Sequence, residues 1–302
     1  MSSALGMSIS ILSKLIKEIE PHLIVVHGDR LEALAGASVG ALSNCLVCHI
    51  EGGELSGTVD DLIRHAVSKL LHIHMVANDA AKLRLLQMGE EQANIYVIGS
   101  PDLDLMTSQS LPSLSEVREH YQINYLDYAI SIFHPVTTEY DSIKRDARNY
   151  FSALKQSGDC FVVIYPNNDI GSNYIIDETK RLDGNFRVFP SIRFESFLTL
   201  LKNARYIIGN SSAGIREAPF YGVPAINIGT RQNRRSNEGN AIVNTGYSIK
   251  EITSSIDAVK QFNRKVESEK LFGDGQSTKR FMDILSTKEF WDIKIQKTFV
   301  DM

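Results

Sequence analysis

Short apolar runs rich in Val and Ile alternate with longer helical patterns along almost the whole chain. That alternation restricts the possible folds more than any other feature. HLIVVHG, CLVCHIEGG, HIHMVAN and IYVIGSP read as strands in the first third, and YAISIFHP, CFVVIYPNN, FRVFPS, RYIIGNSS and PAINIG follow. The early helical stretches are LEALAGASVGALSN, VDDLIRHAVSKLLH and DAAKLRLLQMG. Strands without polar alternation, joined by helices, are buried on both faces, as in parallel sheets. A polar stretch, TSQSLPSLSE, interrupts the series and reads as a linker. The expected class is α/β, with two doubly wound Rossmann-like domains at 1–107 and 108–285. The tail, 286–302, is expected to form a helix packing back on the first domain.

The chain opens on an amphipathic helical pattern, with Ile9, Leu12, Ile16 and Ile19 on one face. A doubly wound domain normally opens on a central strand and has more than about four strands. The first domain is therefore expected to be incomplete, lacking its first βαβ portion. That opening segment also lacks a basic lead and a compact apolar block, so it does not read as a signal peptide. No apolar run reaches the ~20 residues of a membrane span, and a cytoplasmic protein is expected. With 36 acids against 32 bases, net −4, no global basic field favours nucleic acid or a membrane surface. Cys45, Cys48 and His49 spell C-x-x-C-H, but they lie in an apolar, β-prone run and read as buried strand residues.

In open α/β sheets ligands sit beyond the carboxyl ends of the strands, so the residues after each apolar run carry the functional information. In the first domain these are His27-Gly28-Asp29-Arg30, Glu51-Gly52-Gly53-Glu54 and Gly99-Ser100-Pro101. In the second they are His134-Pro135-Val136-Thr137-Thr138, Pro166-Asn167-Asn168-Asp169, Gly209-Asn210-Ser211-Ser212 and Gly229-Thr230-Arg231. GNSSAGIREAP reads as an anion site: Ser211 or Ser212 caps a helix whose free N–H groups favour phosphate. Glu217 either accepts hydrogen bonds from a ribose diol or is a plain exposed acid. Arg231, with Arg234 and Arg235, brings positive charge to the same face, which favours a nucleotide diphosphate. Neither a G-x-G-x-x-G nor a P-loop is present, which argues against a dinucleotide cofactor and P-loop hydrolysis.

The stretch HIEGGELSGTVDDLIRHAVSK holds the remaining acids. Thr58 and Asp61 form a capping box, and Asp60–Arg64 and Asp61–His65 are i,i+4 pairs that stabilise a helix. That account leaves out Glu51 and Asp29, each placed directly after a buried strand. Adjacent strand ends would bring Asp29, Glu51 and Asp60 together, and crowded carboxylates divide into acid and base. His72 and His74 lack a matching ligand cluster and read as structural; no metal site is expected. His134 ends a strand, and either donates to a departing phosphate or is an ordinary turn residue.

Taken in order, HGDR, HIEGGELSGTVDDLIRHA, HPVTT, PNNDIGS, GNSSAGIREAP and NIGTRQ resemble the hydrolysing UDP-N-acetylglucosamine 2-epimerases of sialic-acid biosynthesis over nearly the whole chain. The resemblance implies a two-domain glycosyltransferase-B-like fold with an interdomain active site. It implies conversion of UDP-N-acetylglucosamine and water to N-acetylmannosamine and UDP, by loss of UDP and then hydration with inversion. No cofactor is implied. Carried over, Asp29, Glu51 and Asp60 are the candidate acid–base residues, their individual roles open, and His134 meets the diphosphate. Ser211 and Ser212 hold phosphate, Glu217 the ribose, Asn167 and Arg231 the nucleotide side, and Arg64 orients the carboxylates. Relative to the family pattern, an N-terminal strand and arginine-bearing loop are missing, roughly 70–80 residues in all. A homo-oligomer, dimer or tetramer, acting on a UDP-sugar is expected, without nucleic acid or membrane partners. Two alternatives stay open: an epimerase for a UDP-diacetamido sugar of legionaminic acid pathways, and an inactive UDP-binding or interaction module.

Overall fold

The computed structural model describes residues 1–56, 59–232, 241–262, 271–298 and 300. Thr58, Arg234 and Arg235 lie outside them. The chain divides into two compact units: Met1–Thr107 with Leu271–Met302, and Ser108–Lys270. The boundary expected at 285 is thus drawn at 270, because the segment after it packs with the first unit.

In the first unit the elements run α1 (Ser2–Ile19), β1 (Leu23–His27), α2 (Leu31–Leu42), β2 (Leu46–Ile50), α3 (Val59–Leu70), β3 (Ile73–Val76), α4 (Asp79–Gln87), β4 (Ile95–Val97) and α5 (Pro101–Met106). The opening helix stops at Glu20, which takes the left-handed cap conformation (φ 49°) just before Pro21, a common helix terminator. The sheet is parallel throughout, in the order β1-β2-β3-β4. The central strands β2 and β3 are buried, whereas the edge strands β1 and β4 leave Val25 and Val97 exposed, so Asp29 does not follow a fully buried strand as expected. Val26 and Val47 pack with Ala33, Ala37, Ile63 and Val67 of the helices and with Leu71 just after α3, while Cys48, Ile73 and Met75 pack with Phe290. His27 pairs with Ile50, Ile50 with Met75, and Val76 with Val97, so the strands finish level.

The second unit contains α6 (Leu114–His120), β5 (Ala129–Ile132), α7 (Ile143–Ser157), β6 (Phe161–Ile164), α8 (Ser172–Thr179), β7 (Phe186–Phe189), α9 (Phe194–Asn203), β8 (Ile207–Gly209), α10 (Glu217–Phe220), β9 (Ala225–Ile228), β10 (Ile242–Thr245) and α11 (Ile249–Lys260). Its parallel sheet has the order β10-β9-β8-β5-β6-β7. The expected linker turns out to carry a helix start: Ser113 and Glu116 form a reciprocal capping box that opens α6. β10 was not anticipated, since IVNT is a half-exposed edge strand interrupted by Asn244.

The C-terminal segment contributes α12 (Ser277–Leu285) and the short α13 (Lys288–Trp291). Among the described residues of 286–302, the expected helix is limited to those four residues. Beyond it Lys297 Nζ donates to the carbonyls of Ser68, Lys69 and Leu71 at 3.1, 3.0 and 2.7 Å, closing the end of α3. It also pairs with Glu90 at 2.5 Å. Burial alone would raise the Glu90 carboxyl, but hydrogen bonds from His74, Lys297 and Lys69 outweigh it and hold it at about 2.

Candidate active site

Because the strands of the first sheet end level, the residues that follow them share one end of the sheet. Glu51 comes directly after β2 and adopts a left-handed backbone, φ 63°, uncommon for a residue with a Cβ. Its amide donates to Met75 O at 2.9 Å, which anchors the turn on the neighbouring strand. Gly53 also needs positive φ (73°), and a Cβ there would lie 2.4 Å from Ala81 O. The glycine pair therefore lets the chain turn sharply and leave the Glu51 carboxylate at the strand end.

That carboxylate is 5% exposed and held on both sides. Ser100 Oγ donates to Oε1 at 2.5 Å, and His27 Nε2 meets Oε2 at 3.1 Å. On the other side of Gly28, Asp29 accepts a hydrogen bond from Arg64 Nη2, and Glu54 lies 4.0 Å from Arg64 Nη1. Arg64, buried on α3, is thus a fixed positive charge between two carboxylates from separate loops. The fold gives Arg64 a partner in Asp29, 35 residues away, which helical spacing alone does not show. Asp60 stands one turn before Arg64 on the same helix face. Asp61 takes a different role, accepting from the Ser56 amide and hydroxyl at 2.5 and 3.1 Å to secure the loop before α3.

His49 supports this arrangement from the buried side. Its Nε2 is 2.8 Å from Gly28 O and its Nδ1 3.2 Å from Ser68 Oγ. A carbonyl only accepts, so Nε2 carries the proton and Nδ1 receives the hydroxyl. Burial pushes this imidazole down to about 3, so it is neutral. Cys45 and Cys48 are buried free thiols. His74 bonds Glu90 at 2.9 Å, while His72 receives the Val47 amide at Nδ1 and donates to Ile295 O.

The corresponding end of the second sheet is built from amides and small residues. Asn210, buried after β8, receives the His134 amide on Oδ1 at 2.6 Å and donates back to His134 O at 2.9 Å. Its own carbonyl accepts from Arg231 Nη1 and Gln232 Nε2 at 3.2 and 2.8 Å. One residue, through its side chain and its backbone carbonyl, thereby ties together the ends of β5, β8 and β9. Gly209 permits this closeness: at φ 138°, a Cβ there would lie 1.9 Å from Ile132 O.

The Asn167 amide donates to His134 Nδ1 at 3.0 Å. Nδ1 is therefore an acceptor, and the ring proton sits on Nε2. Burial, assisted by the charge of Arg231, pushes His134 down to about 3. His134 is a neutral N–H donor. Asn167 Nδ2 is engaged with Asp169 at 2.5 Å, while its buried Oδ1 has no hydrogen-bond partner among the described residues. Ser211 Oγ accepts from Ala213 N at 3.3 Å and caps a tight turn over Ser212–Gly214. The helix expected after these serines is thus a single 3-10 turn, and Glu217 opens the separate four-residue α10, where it is buried.

The sequence assigns no role to Gln232, nor to Asn210, His27, Ser100 and Glu54, although these four belong to the strand-end stretches. His27, Ser100 and Asn210 do stand at strand ends, and that position was the available signal. Glu139 also went unnoticed; it accepts from Thr230 Oγ1 at 2.5 Å and Tyr247 OH at 2.6 Å, bracing the loops that carry His134 and Arg231.

Two parallel α/β units, one with acids at its strand ends and the other with a cradle of N–H donors, define a two-domain fold of the glycosyltransferase-B type. A profile of the UDP-N-acetylglucosamine 2-epimerase family matches residues 1–286, and the chain belongs to that family. It is 55% identical over 278 residues to UDP-N-acetylglucosamine 2-epimerase of Neisseria meningitidis serogroup B, covering 92% of this chain and 73% of that protein. It is 31% identical to the UDP-N,N'-diacetylbacillosamine 2-epimerase (hydrolyzing) of Legionella pneumophila, covering 92% of this chain and 74% of that protein. The crystal structure of Methanocaldococcus jannaschii UDP-GlcNAc 2-epimerase in complex with UDP-GlcNAc and UDP shares the fold. Its TM-score is 0.80 at 21% identity, over 93% of this chain and 80% of that one. Among the described residues, no helix is long and apolar enough to cross a membrane.

Proposed function

We propose that this chain is a hydrolysing UDP-N-acetylglucosamine 2-epimerase that releases N-acetylmannosamine, a sialic-acid precursor, and UDP. The observation that carries this reading is the buried Glu51 carboxylate. It is held in a left-handed turn by Ser100 and by His27, which stands just before an Asp29 paired with Arg64. Family membership supplies the reaction class, and the 55% relative favours the monoacetylated sugar over a diacetamido one.

In this mechanism the second unit holds UDP. His134 donates from Nε2 to the diphosphate as it departs, Arg231 offsets its charge, and Ser211 and Ser212 lie at the phosphate. Asn167 lines the nucleotide side, and Glu217 takes the ribose hydroxyls. The first unit supplies the proton chemistry. Among Asp29, Glu51 and Asp60, one carboxylate removes the proton from the carbon bearing the N-acetyl group while the C–O bond to UDP breaks, leaving an unsaturated sugar. Water then adds at the anomeric carbon, and an acid returns a proton to the opposite face. Arg64 fixes the orientation of Asp29. The enzyme works in the cytoplasm, where nucleotide sugars are made, as a homo-oligomer.

The test is proton NMR of the purified chain with UDP-N-acetylglucosamine in heavy water. Singly deuterated N-acetylmannosamine together with free UDP is the expected result. Intact substrate, or release of UDP-N-acetylmannosamine, overturns the reading; a UDP-diacetamido sugar run in parallel reports substrate preference.

A further inference from the structure

Glu51 and the His27 and Ser100 side chains bonded to it differ sharply in their access to water. Glu51 and Ser100 are buried, at 5% and 1% exposure. The His27 side chain, at 3.1 Å from Glu51 Oε2, is 48% exposed. Elimination and hydration remove a proton on one face of the sugar and return one on the other. Each carboxylate involved therefore finishes a turnover one proton richer or poorer than it began, and must reset against solvent. A carboxylate as buried as Glu51, with Ser100 closing one side, needs a titratable neighbour to do so.

We propose that His27 is the proton relay between Glu51 and solvent; this rests on the function proposed above. In the neutral ring Nε2–H donates to Glu51 Oε2. A proton arriving from water at Nδ1 makes the imidazolium. The Nε2 proton then passes to Glu51, leaving neutral carboxylic acid and the Nδ1–H tautomer. The reverse sequence empties Glu51, and charge balances at each step. Around the dyad, Asp29 and Arg64 lie across Gly28, and His49 donates to the Gly28 carbonyl. His27 combines solvent exposure with a direct bond to Glu51. His27 is thus a residue acting through Glu51, separate from the carboxylates that meet the sugar.

His27→Gln is the informative variant, since its amide N–H still holds Glu51 but does not titrate. The expected result is a kcat about a hundredfold lower, the low end for a positioned proton-transfer group. KM and UDP affinity stay unchanged, and added imidazole restores activity. Wild-type kcat in H27Q, or a loss that imidazole and its substituted derivatives leave untouched, overturns the relay while the wild-type control upholds the reaction. A wild-type chain that does not convert UDP-N-acetylglucosamine overturns both. Ring nitrogen NMR of the wild-type chain gives a reading independent of the variant's folding: a neutral His27 protonated at Nε2 supports the relay, and an Nδ1–H resting tautomer overturns it.

Discussion

The two units end their sheets in the same way and fill the ends with opposite chemistry. In the first, the chief polar groups at the strand ends are acids: Glu51 between His27 and Ser100, and Asp29 and Glu54 about Arg64. In the second they are donors: His134 with its proton on Nε2, Arg231, and the amides of Asn210 and Gln232. A parallel sheet only guarantees that strand-end residues share a rim. Which residue types stand there decides whether the rim moves protons or holds an anion. The architecture is shared; the division of labour is in the side chains.

Replacing Glu51 with Gln is the strongest way to break this comparison. The amide keeps the shape and hydrogen bonding of the carboxylate but no longer exchanges a proton. Loss of kcat by roughly a thousandfold is expected, within the range for a positioned acid or base, with UDP affinity measured by calorimetry unchanged. A large fall in UDP affinity would show that the first unit also carries the nucleotide. Arg231→Ala is the complementary experiment and has a smaller effect. Loss of one charge-assisted contact should weaken UDP binding about 10–30-fold, equivalent to about 1.5–2 kcal/mol. In the same variant, bound substrate should still exchange its sugar proton with heavy water. Unchanged UDP affinity would remove Arg231 from the nucleotide side.

Much of this contrast could be read in the sequence, because strand ends are easy to find. The continuous apolar runs gave nine of the strands, and the residues after them included Glu51, Asp29, His134 and Arg231. Pairings were less legible. Helical spacing places Asp60 beside Arg64 but gives no sign of Asp29, which strand order brings to Arg64 from another loop. Ser100 reaches Glu51 only because β4 finishes level with β3 and Glu51 turns through a left-handed backbone. The strand β10 escaped notice because a half-exposed edge strand lacks the apolar continuity of the others. Local pattern reveals elements and their ends. Contacts between ends depend on register and turn conformation, which are properties of the assembled sheet.

The finest test of the comparison is the protonation state of His134. An anion site could use an imidazolium, but here the Asn167 amide occupies Nδ1, and burial with Arg231 nearby brings the ring down to about 3. The His134 ring resonances should therefore stay flat between pH 8 and pH 5 in the free protein. The same difference has a thermodynamic consequence. In the unfolded chain this histidine takes up its proton near pH ~6.5, while in the folded protein it does so only near about 3. As pH falls below about 6.5 the unfolded state binds more protons than the native one, so stability declines toward pH 3. Its contribution is complete above that window. Replacing His134 with Gln, which cannot titrate, should flatten this part of the stability–pH curve without altering it above pH 7. A ring that titrates near 6.5 would mean a cationic phosphate ligand, and the second unit would then join the first in holding a group that changes charge during turnover.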